Sequence, residues 1–280
     1  MPLSDDDQTC LDFRLTTSPT ARLFAYDLPG GRVHYFDTRV RHSELLIQAE
    51  SLVVTHRHNP FIHLPQTEED TEFYRRESVR LNYAEFLAPT GRVQLHPETD
   101  RIAAVARKQS SGGGTVAFLM ALTRQLYRVM TYTPGATNVN TPILDVLEQK
   151  EGVCQDFAHL MLAICRRQHI PARYVSGYLY TGEGQTGGTA PDGAASDNAP
   201  MPTATPSGLV SGEAMHAWVE CLLPDNQWHG FDPTNNLLTN DYYVKVHTGR
   251  DYGDVPPLRG VYRGPFAHSM DVSVRVVKEG

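Results

Sequence analysis

The sequence contains few cysteines and no closely spaced pair of them. Only Cys10, Cys154, Cys165 and Cys221 occur among the 280 residues, and no two of them form a Cys-x-x-Cys pair. This pattern gives no support to a structural zinc site, and we expect neither a metal nor another cofactor. The chain starts with a polar, aspartate-rich stretch unlike a secretory signal, so we expect a cytoplasmic protein with reduced thiols.

Long apolar runs and an excess of basic residues are also missing. No stretch approaches the roughly 20 apolar residues that a membrane span requires. The formal net charge is -7, whereas a general nucleic-acid-binding protein presents a basic surface. With 40% hydrophobic and 20% charged residues, the composition is that of a globular protein with a sizeable core. We therefore expect neither a membrane nor a nucleic acid as partner, and the oligomeric state stays open.

The predicted organisation has two parts. Residues 1–88 form a β-rich domain, with strands at Arg32–Thr38 and Glu44–Thr55 that suggest a small β-sandwich-like module. Residues 89–280 form the second domain. Its stretch at about 182–212 is rich in Gly, Ala, Pro, Thr and Ser, which predicts a flexible insertion that we expect to act as a lid.

The second domain alternates predicted helices with strands. Helices are predicted at 101–109, at 115–132, from Thr141-Pro142 onward and at Cys154–Arg167. Strands are predicted at 172–180, 214–223, 228–233 and 271–278. The helix at Cys154–Arg167 is apolar nearly all round, which is typical of a central, buried helix. The order predicts an α+β fold in which this helix packs on an antiparallel sheet.

Cys154 lies at the start of the buried helix. The unpaired backbone N–H groups and the helix dipole favour a negative charge there, as a thiolate nucleophile requires. A buried cysteine can equally be a small core residue, and position alone does not decide between these roles. Cys165 in mid-helix and Cys221 in mid-strand fit the core role.

A thiol nucleophile needs a base, and the base needs an acceptor that orients it. His216 and Trp218 share one face of the predicted strand 214–223. If Pro224-Asp225-Asn226 is a three-residue hairpin loop, Asp232 lies opposite Trp218 and diagonal to His216, within side-chain reach. A loop of two or four residues would place Asp232 on the other face. The pattern thus permits a triad of Cys154, His216 and Asp232 without requiring it.

Several segments together resemble the bacterial transglutaminase-like proteins, which belong to the papain-like superfamily and are commonly described as candidate cysteine proteases. These segments are GVCQDFAH at 152–159, PARYVSGY at 171–178, HAWVE at 216–220, FDPTNN at 231–236 and GRDYGDVPP at 249–257. The resemblance covers nearly the whole chain, including the N-terminal β module. It implies a papain/transglutaminase-like catalytic core with Cys154 as nucleophile, His216 as base and Asp232 as acid. The sequence departs from the family at Met215 and His169, where a small residue and a glycine are usual.

The resemblance also suggests weaker site residues. The backbone N–H of Cys154 is one expected donor to the oxyanion, and Tyr132 is the candidate for the second, although Tyr132 can equally be a core residue. Candidates for the substrate cleft are Gln155, Asp156, Tyr174, Trp218, Asp251 and Tyr252. A first-turn position on the helix explains Gln155 and Asp156 equally well.

Three functions follow from these residues. We expect acyl transfer from a peptide or protein amide through a thioester, most simply hydrolysis by a cysteine protease or amidase, because water needs no binding site of its own. The alternatives are a protein-crosslinking transglutaminase, which uses the same triad, and a non-catalytic interaction module of the same fold. A metal-dependent hydrolase would need clustered ligands that the histidine spacing does not supply.

Overall fold

The computed structural model describes residues 1–65, 71–111, 113–182, 209, 211, 215–265 and 269–279. Among these residues, no helix has both the length and the apolar character that crossing a membrane would take. The expected insertion at about 182–212 lies outside the described residues except for its first residue, Leu209 and Ser211.

The N-terminal β region is confirmed and consists of two antiparallel ribbons. Its strands are β1 (Gln8–Ser18), β2 (Phe24–Leu28), β3 (Gly31–Tyr35) and β4 (Leu46–Thr55). β1 pairs with β4, and β2 pairs with β3. The two ribbons meet where the rings of Phe13 and His34 lie 5.0 Å apart. The domain boundary near residue 88 stays a prediction, and Tyr74 already contacts the second part by donating to the Leu222 carbonyl at 2.9 Å.

The helices lie in the middle of the chain. They are α1 (Thr71–Arg75), α2 (Glu77–Asn82), α3 (Thr99–Gln109), α4 (Thr115–Val129), α5 (Ile143–Gln149) and α6 (Cys154–Arg167). Nearly all of α6 is buried, as its sequence predicted. After α6 ends, His169 adopts a φ of 59°. Glycine takes this left-handed conformation without the steric cost that histidine carries there.

The prediction that the helix starting at Thr115 continues to Tyr132 is wrong. α4 ends at Val129, and Thr131–Tyr132 form a short strand, β5, that pairs in parallel with β6 (Glu151–Gly152). Backbone hydrogen bonds from Thr131 and from Thr133 to the β6 segment replace the helical ones. The β-branched threonines also favour the extended conformation.

A five-stranded antiparallel sheet carries α6 on one face. The strands are β7 (Ala172–Leu179), β8 (His216–Leu222), β9 (Trp228–Asp232), β10 (Leu237–Leu238) and β11 (Tyr243–Gly249), in the order β10-β9-β8-β7-β11. Ala217, Val219 and Cys221 belong to the large core that includes α6, whereas Trp218 packs in a second cluster with Val175. The predicted arrangement of a buried helix on an antiparallel sheet is confirmed.

The β8–β9 hairpin has the three-residue loop on which the proposed His–Asp pair depends. Val219 pairs with Phe231, Leu222 pairs with Trp228, and the Leu223 N–H donates to the Gln227 carbonyl. This register places Asp232 beyond Phe231 and level with Trp218, which is the arrangement expected for a loop of three residues and not for one of two or four.

The last predicted strand is wrong. Residues 271–278, all within the described part of the chain, form no strand. The edge beside β7 is occupied instead by β11, which was not predicted. β11 has an alternating pattern of its own, but only its pairing with the distant β7 distinguishes it from the later segment.

Candidate active site

The start of α6 is fixed by its own first turn. The Asp156 carboxylate accepts hydrogen bonds from the Val153 N–H at 2.8 Å and from the Thr137 hydroxyl. A Cβ atom on Gly152 would lie 2.7 Å from an Asp156 carboxylate oxygen, so only glycine fits there. Burial raises the pKa of Asp156 despite these two donors. Asp156 therefore caps the helix that presents Cys154, which is 7% exposed.

His216 and Asp232 form a hydrogen-bonded pair at the end of the hairpin. The His216 Nε2 and the Asp232 Oδ2 lie 2.7 Å apart, and both side chains are fully buried. Burial alone lowers the pKa of His216, but the charge and hydrogen bond of Asp232, with a contribution from Cys154, raise it to about 10. Asp232 and Cys154 therefore favour the positively charged form of the imidazole.

Five donors surround the Asp232 carboxylate. Its Oδ1 accepts from the backbone N–H groups of Thr234 at 2.8 Å and Asn235 at 3.2 Å. Its Oδ2 accepts from His216, from the Asn235 side-chain amide at 2.7 Å and from the Tyr243 hydroxyl at 2.8 Å. Burial raises the pKa of Asp232, but His216, Asn235 and Tyr243 together hold it below its ordinary value.

Asn235 and Tyr243 were missed as site residues in the sequence. Asn235 follows the Asp-Pro-Thr turn and lies only three residues after Asp232. Because asparagine side chains often form hydrogen bonds within turns, this spacing is a signal that could have identified Asn235. Tyr243 could be found only by placing β11 in the sheet, because no local pattern connects it to Asp232.

Cys154 lies beside the His216 ring. The Nδ1 atom of His216 is buried and has no hydrogen-bond partner of full geometry among the described residues. Cys154 is close enough for its charge to raise the pKa of the imidazole. Cys154, His216 and Asp232 are the first residue of α6, the first of β8 and the last of β9. The structure thus brings the three predicted residues together at one end of the sheet.

The Trp218 ring packs against the His216 imidazole of the His216–Asp232 pair. It is 1% exposed, its ring stacks on His216 at 6.1 Å, and Tyr243 lies edge-on at 5.3 Å. A Cβ atom on Gly177 would lie 2.4 Å from the indole, so a glycine is needed on β7 at this point. Trp218 was predicted to line the cleft; the structure packs its ring against the imidazole, and its role in the cleft stays a prediction.

The remaining predicted cleft residues lie along α6 and its neighbours. Tyr174 packs against His159 at 5.3 Å and Tyr252 at 6.4 Å. Burial raises the pKa of Tyr174, and the nearby Cys154 adds to the rise. The Tyr252 N–H donates to His159 at 3.3 Å, and Asp251 accepts from the Gly253 N–H at 2.6 Å. Tyr174 is therefore the member of this group beside Cys154, and Asp251 is engaged in its own turn.

Gln155 and Tyr132 occupy the approach to the nucleophile. Gln155 is buried in the first turn of α6. Tyr132 pairs with Gly152 in the short ribbon that precedes Cys154, and its hydroxyl donates to the Ser211 carbonyl at 3.3 Å. The structure thus places Tyr132 next to the entry into α6, and its role as oxyanion donor stays a prediction.

The same hairpin carries a second His–Asp pair. The His229 Nε2 and Asp225 Oδ2 lie 2.7 Å apart, and Cys221 pairs with His229 across the strands. The sulfurs of Cys221 and Cys165 are 3.8 Å apart, and both residues are fully buried. Within the described residues, no group of three or more His, Cys, Asp or Glu side chains is arranged to hold a metal ion.

Known proteins share both this fold and its N-terminal module. The transglutaminase-like superfamily model matches residues 103–233, and the bacterial transglutaminase-like N-terminal region matches residues 1–54. An uncharacterized protein of Mycobacterium leprae is 34% identical over 99% of this chain and 89% of its own length. An uncharacterized protein of Mycobacterium bovis is 38% identical over 58% of this chain and 47% of its own. A candidate cysteine protease from Cytophaga hutchinsonii has the same fold, with a TM-score of 0.61, 23% identity, and coverage of 91% of this chain and 76% of that one.

The helix on an antiparallel sheet, with a thiol at the start of the helix, defines a protein of the papain-like and transglutaminase-like class. The chain belongs to the transglutaminase-like superfamily and carries the N-terminal region of its bacterial members. The superfamily match spans Cys154, His216 and Asp232.

Proposed function

We propose that the protein is a thiol-dependent acyl-transfer enzyme that hydrolyses an amide bond in a peptide or protein substrate. The observation that carries the proposal is the buried His216–Asp232 pair, which lies at the end of the sheet where α6 begins with Cys154. A positively charged imidazole is the partner that a thiolate at a helix N-terminus requires.

The chemistry proceeds in two halves. The Cys154 thiolate attacks the carbonyl carbon, and His216 gives its proton to the amine nitrogen as the C–N bond breaks. The acyl group remains on the sulfur as a thioester. Water then attacks the thioester and gives a proton to His216. The acid departs, and the thiolate and imidazolium are restored. Asp232 keeps the imidazole oriented throughout.

The negative oxygen of each tetrahedral intermediate needs donors. The Cys154 backbone N–H at the start of α6 is the first proposed donor. Tyr132 is the second, and its hydroxyl must leave the Ser211 carbonyl in order to serve. Gln155, Tyr174 and Tyr252 are the proposed walls of the substrate cleft.

Acylation of the thiol tests the proposal. The protein is incubated with p-nitrophenyl acetate, and the acyl adduct is located by intact-mass spectrometry and peptide mapping. We expect a transient adduct on Cys154 that is absent from the Cys154→Ala variant, whereas Cys221→Ala serves as the matched control and behaves as wild type. A wild-type protein that forms no adduct on Cys154 would support the non-catalytic interaction module instead.

The acceptor is tested in the same experiment. When a primary alkylamine is added, we expect acetate to remain the main product, because hydrolysis needs no second binding site. If the acetylated amine dominates at millimolar amine, the alternative of a crosslinking transglutaminase replaces hydrolysis.

A further inference from the structure

Tyr243 ties the acid of the site to a strand outside the hairpin. Its hydroxyl donates to the Asp232 Oδ2 at 2.8 Å, the same oxygen that the His216 Nε2 contacts at 2.7 Å. The Tyr243 ring also lies 6.0 Å from His216 and 5.3 Å from Trp218. A buried, charge-assisted hydrogen bond of this kind fixes the position of both its partners. Tyr243 therefore helps to fix the orientation of the Asp232 carboxylate, and through it the orientation of the His216 imidazole.

Tyr243 lies on β11, and the N-terminal segment Leu3–Gln8 holds this strand. The Gln8 side chain is 1% exposed. Its amide donates to the Lys245 carbonyl at 2.8 Å, and its Oε1 accepts from the Lys245 N–H at 2.6 Å. The Leu3 N–H also donates to the Lys245 carbonyl, at 3.0 Å. The pairing of β11 with β7 shifts register directly after Lys245. The N-terminal segment thus supplies hydrogen-bond partners to the Lys245 backbone at the point where the β7–β11 ladder is interrupted.

Charge reinforces the same attachment. The Lys245 ammonium, 6% exposed, lies 2.7 Å from the Asp5 carboxylate and 2.6 Å from the Glu220 carboxylate. Glu220 also pairs with Arg173 at 2.6 Å. Burial raises the pKa of Glu220, but Arg173 and Lys245 outweigh it and lower the pKa to about 2. Because Glu220, Trp218 and His216 share one face of β8, this network lies on the face that carries the imidazole.

We propose that Tyr243 is a positioning residue of the active site and that the N-terminal segment Leu3–Gln8 acts as its anchor. In this arrangement the N-terminal segment fixes β11, β11 fixes Tyr243, and Tyr243 fixes Asp232 against His216. This inference rests on the proposed function for its kinetic consequences, although its geometric consequence can be measured without any turnover.

The first test compares Tyr243→Phe with Tyr242→Phe. Each variant loses one phenol hydroxyl, and the Tyr242 ring lies 6.1 Å from that of Tyr180. In proton NMR we expect the His216 Nε2–H signal to exchange faster with water in Tyr243→Phe and to match wild type in Tyr242→Phe. We expect kcat for p-nitrophenyl acetate, normalised to reactive Cys154, to fall about tenfold in Tyr243→Phe with KM unchanged, as the loss of one hydrogen bond predicts.

The second test asks whether the N-terminal segment acts through Tyr243. Gln8→Ala removes the two hydrogen bonds that the Gln8 side chain makes with the Lys245 backbone. We expect it to lower kcat about threefold, because Gln8 affects the site only indirectly, through β11. In the double variant with Tyr243→Phe, kcat should equal that of Tyr243→Phe alone. Additive losses would show that Gln8 only stabilises the fold and would overturn the anchor.

The outcomes separate this inference from the proposed function. A wild-type protein without an acyl adduct refutes the proposed function, while the His216 signal still tests the link through Tyr243. If that signal and kcat are the same in Tyr243→Phe and wild type, or if Tyr242→Phe changes them equally, Tyr243 is not a positioning residue.

Discussion

The two His–Asp pairs of the β8–β9 hairpin make a natural comparison. Both have Nε2–Oδ2 distances of 2.7 Å, and in both histidines the Nδ1 atom is buried and unpaired within the described residues. His216–Asp232 lies at the open end of the hairpin and shares its face with Trp218. His229–Asp225 lies at the loop end and shares its face with Cys221, as the register requires.

The pairs differ in what surrounds them. Asp232 accepts from five donors, and its histidine faces a thiol at the first residue of α6. Asp225 belongs to the loop and is 28% exposed. The thiol opposite His229 is Cys221, and burial together with a hydrogen bond shared with the Cys165 thiol raises the pKa of Cys221 well above the ordinary value. The hydrogen-bonded pair alone therefore does not define the site; the thiol at a helix N-terminus does.

Replacing each of the two thiols in turn should give the largest difference between the two pairs. Cys154→Ala should reduce acyl transfer by at least about 10⁴-fold, because no other group replaces a missing nucleophile. Cys221→Ala, measured in the same steady-state assay, should remain within about twofold of wild type because it alters packing away from the site. Equal losses in the two variants would contradict the distinction.

The two bases give the next largest difference. His216→Asn should lower kcat by about 10²- to 10⁴-fold, the range that general acid–base catalysis contributes. His229→Asn should leave kcat unchanged and lower the urea midpoint, since His229 is buried and pairs with the loop. A comparable drop in kcat for His229→Asn would indicate that the hairpin acts as one unit.

The acids sharpen the comparison further. Asp232→Asn keeps the shape but replaces one acceptor oxygen with a donor nitrogen, which disturbs the His216 tautomer and should lower kcat by up to about 10⁴-fold. Asp225→Asn should change kcat by less than about twofold because Asp225 is partly solvated. Steady-state kinetics across pH 5 to 9 checks both, and an unaffected Asp232→Asn would remove Asp232 from the proposed triad.

The smallest expected effect is a pH dependence of stability. The pKa of His216 is raised to about 10 from 6.5 in the folded state. Its stabilising contribution is therefore complete below pH 6.5 and is lost as the pH rises toward 10. The difference in unfolding free energy between wild type and His216→Gln, from urea titrations at pH 6, 8 and 10, should shrink with pH. A constant difference would contradict the charged pair.

The site's central geometry was accessible from the sequence because it rests on local rules. A three-residue loop fixes which face of β9 carries Asp232, and the apolar run after Gly152 fixes where α6 begins. The start of α6 was predicted from neighbouring residues and is confirmed, whereas the three-residue loop was one of the alternatives that the sequence left open.

The features that could not be predicted depend on contacts between distant segments. Tyr132 leaves its helix because the backbone of β6, about 20 residues further on, provides hydrogen bonds. Tyr243 reaches Asp232 because β11 pairs with β7, and the alternating segment at 271–278 shows that alternation alone does not select the partner. Which strands pair when they are far apart in the sequence depends on the packing of the whole core, and a short stretch of sequence does not contain that information.

Thiol alkylation tests the central claim most directly. The rates at which iodoacetamide modifies Cys154 and Cys10 are measured by mass spectrometry between pH 5 and 9, with Cys10, whose pKa burial raises, as the internal reference. An activated Cys154 should react at least about tenfold faster than Cys10 at pH 6, and His216→Asn should abolish the difference. Equal rates for the two thiols at pH 6 in the wild-type protein would contradict the account.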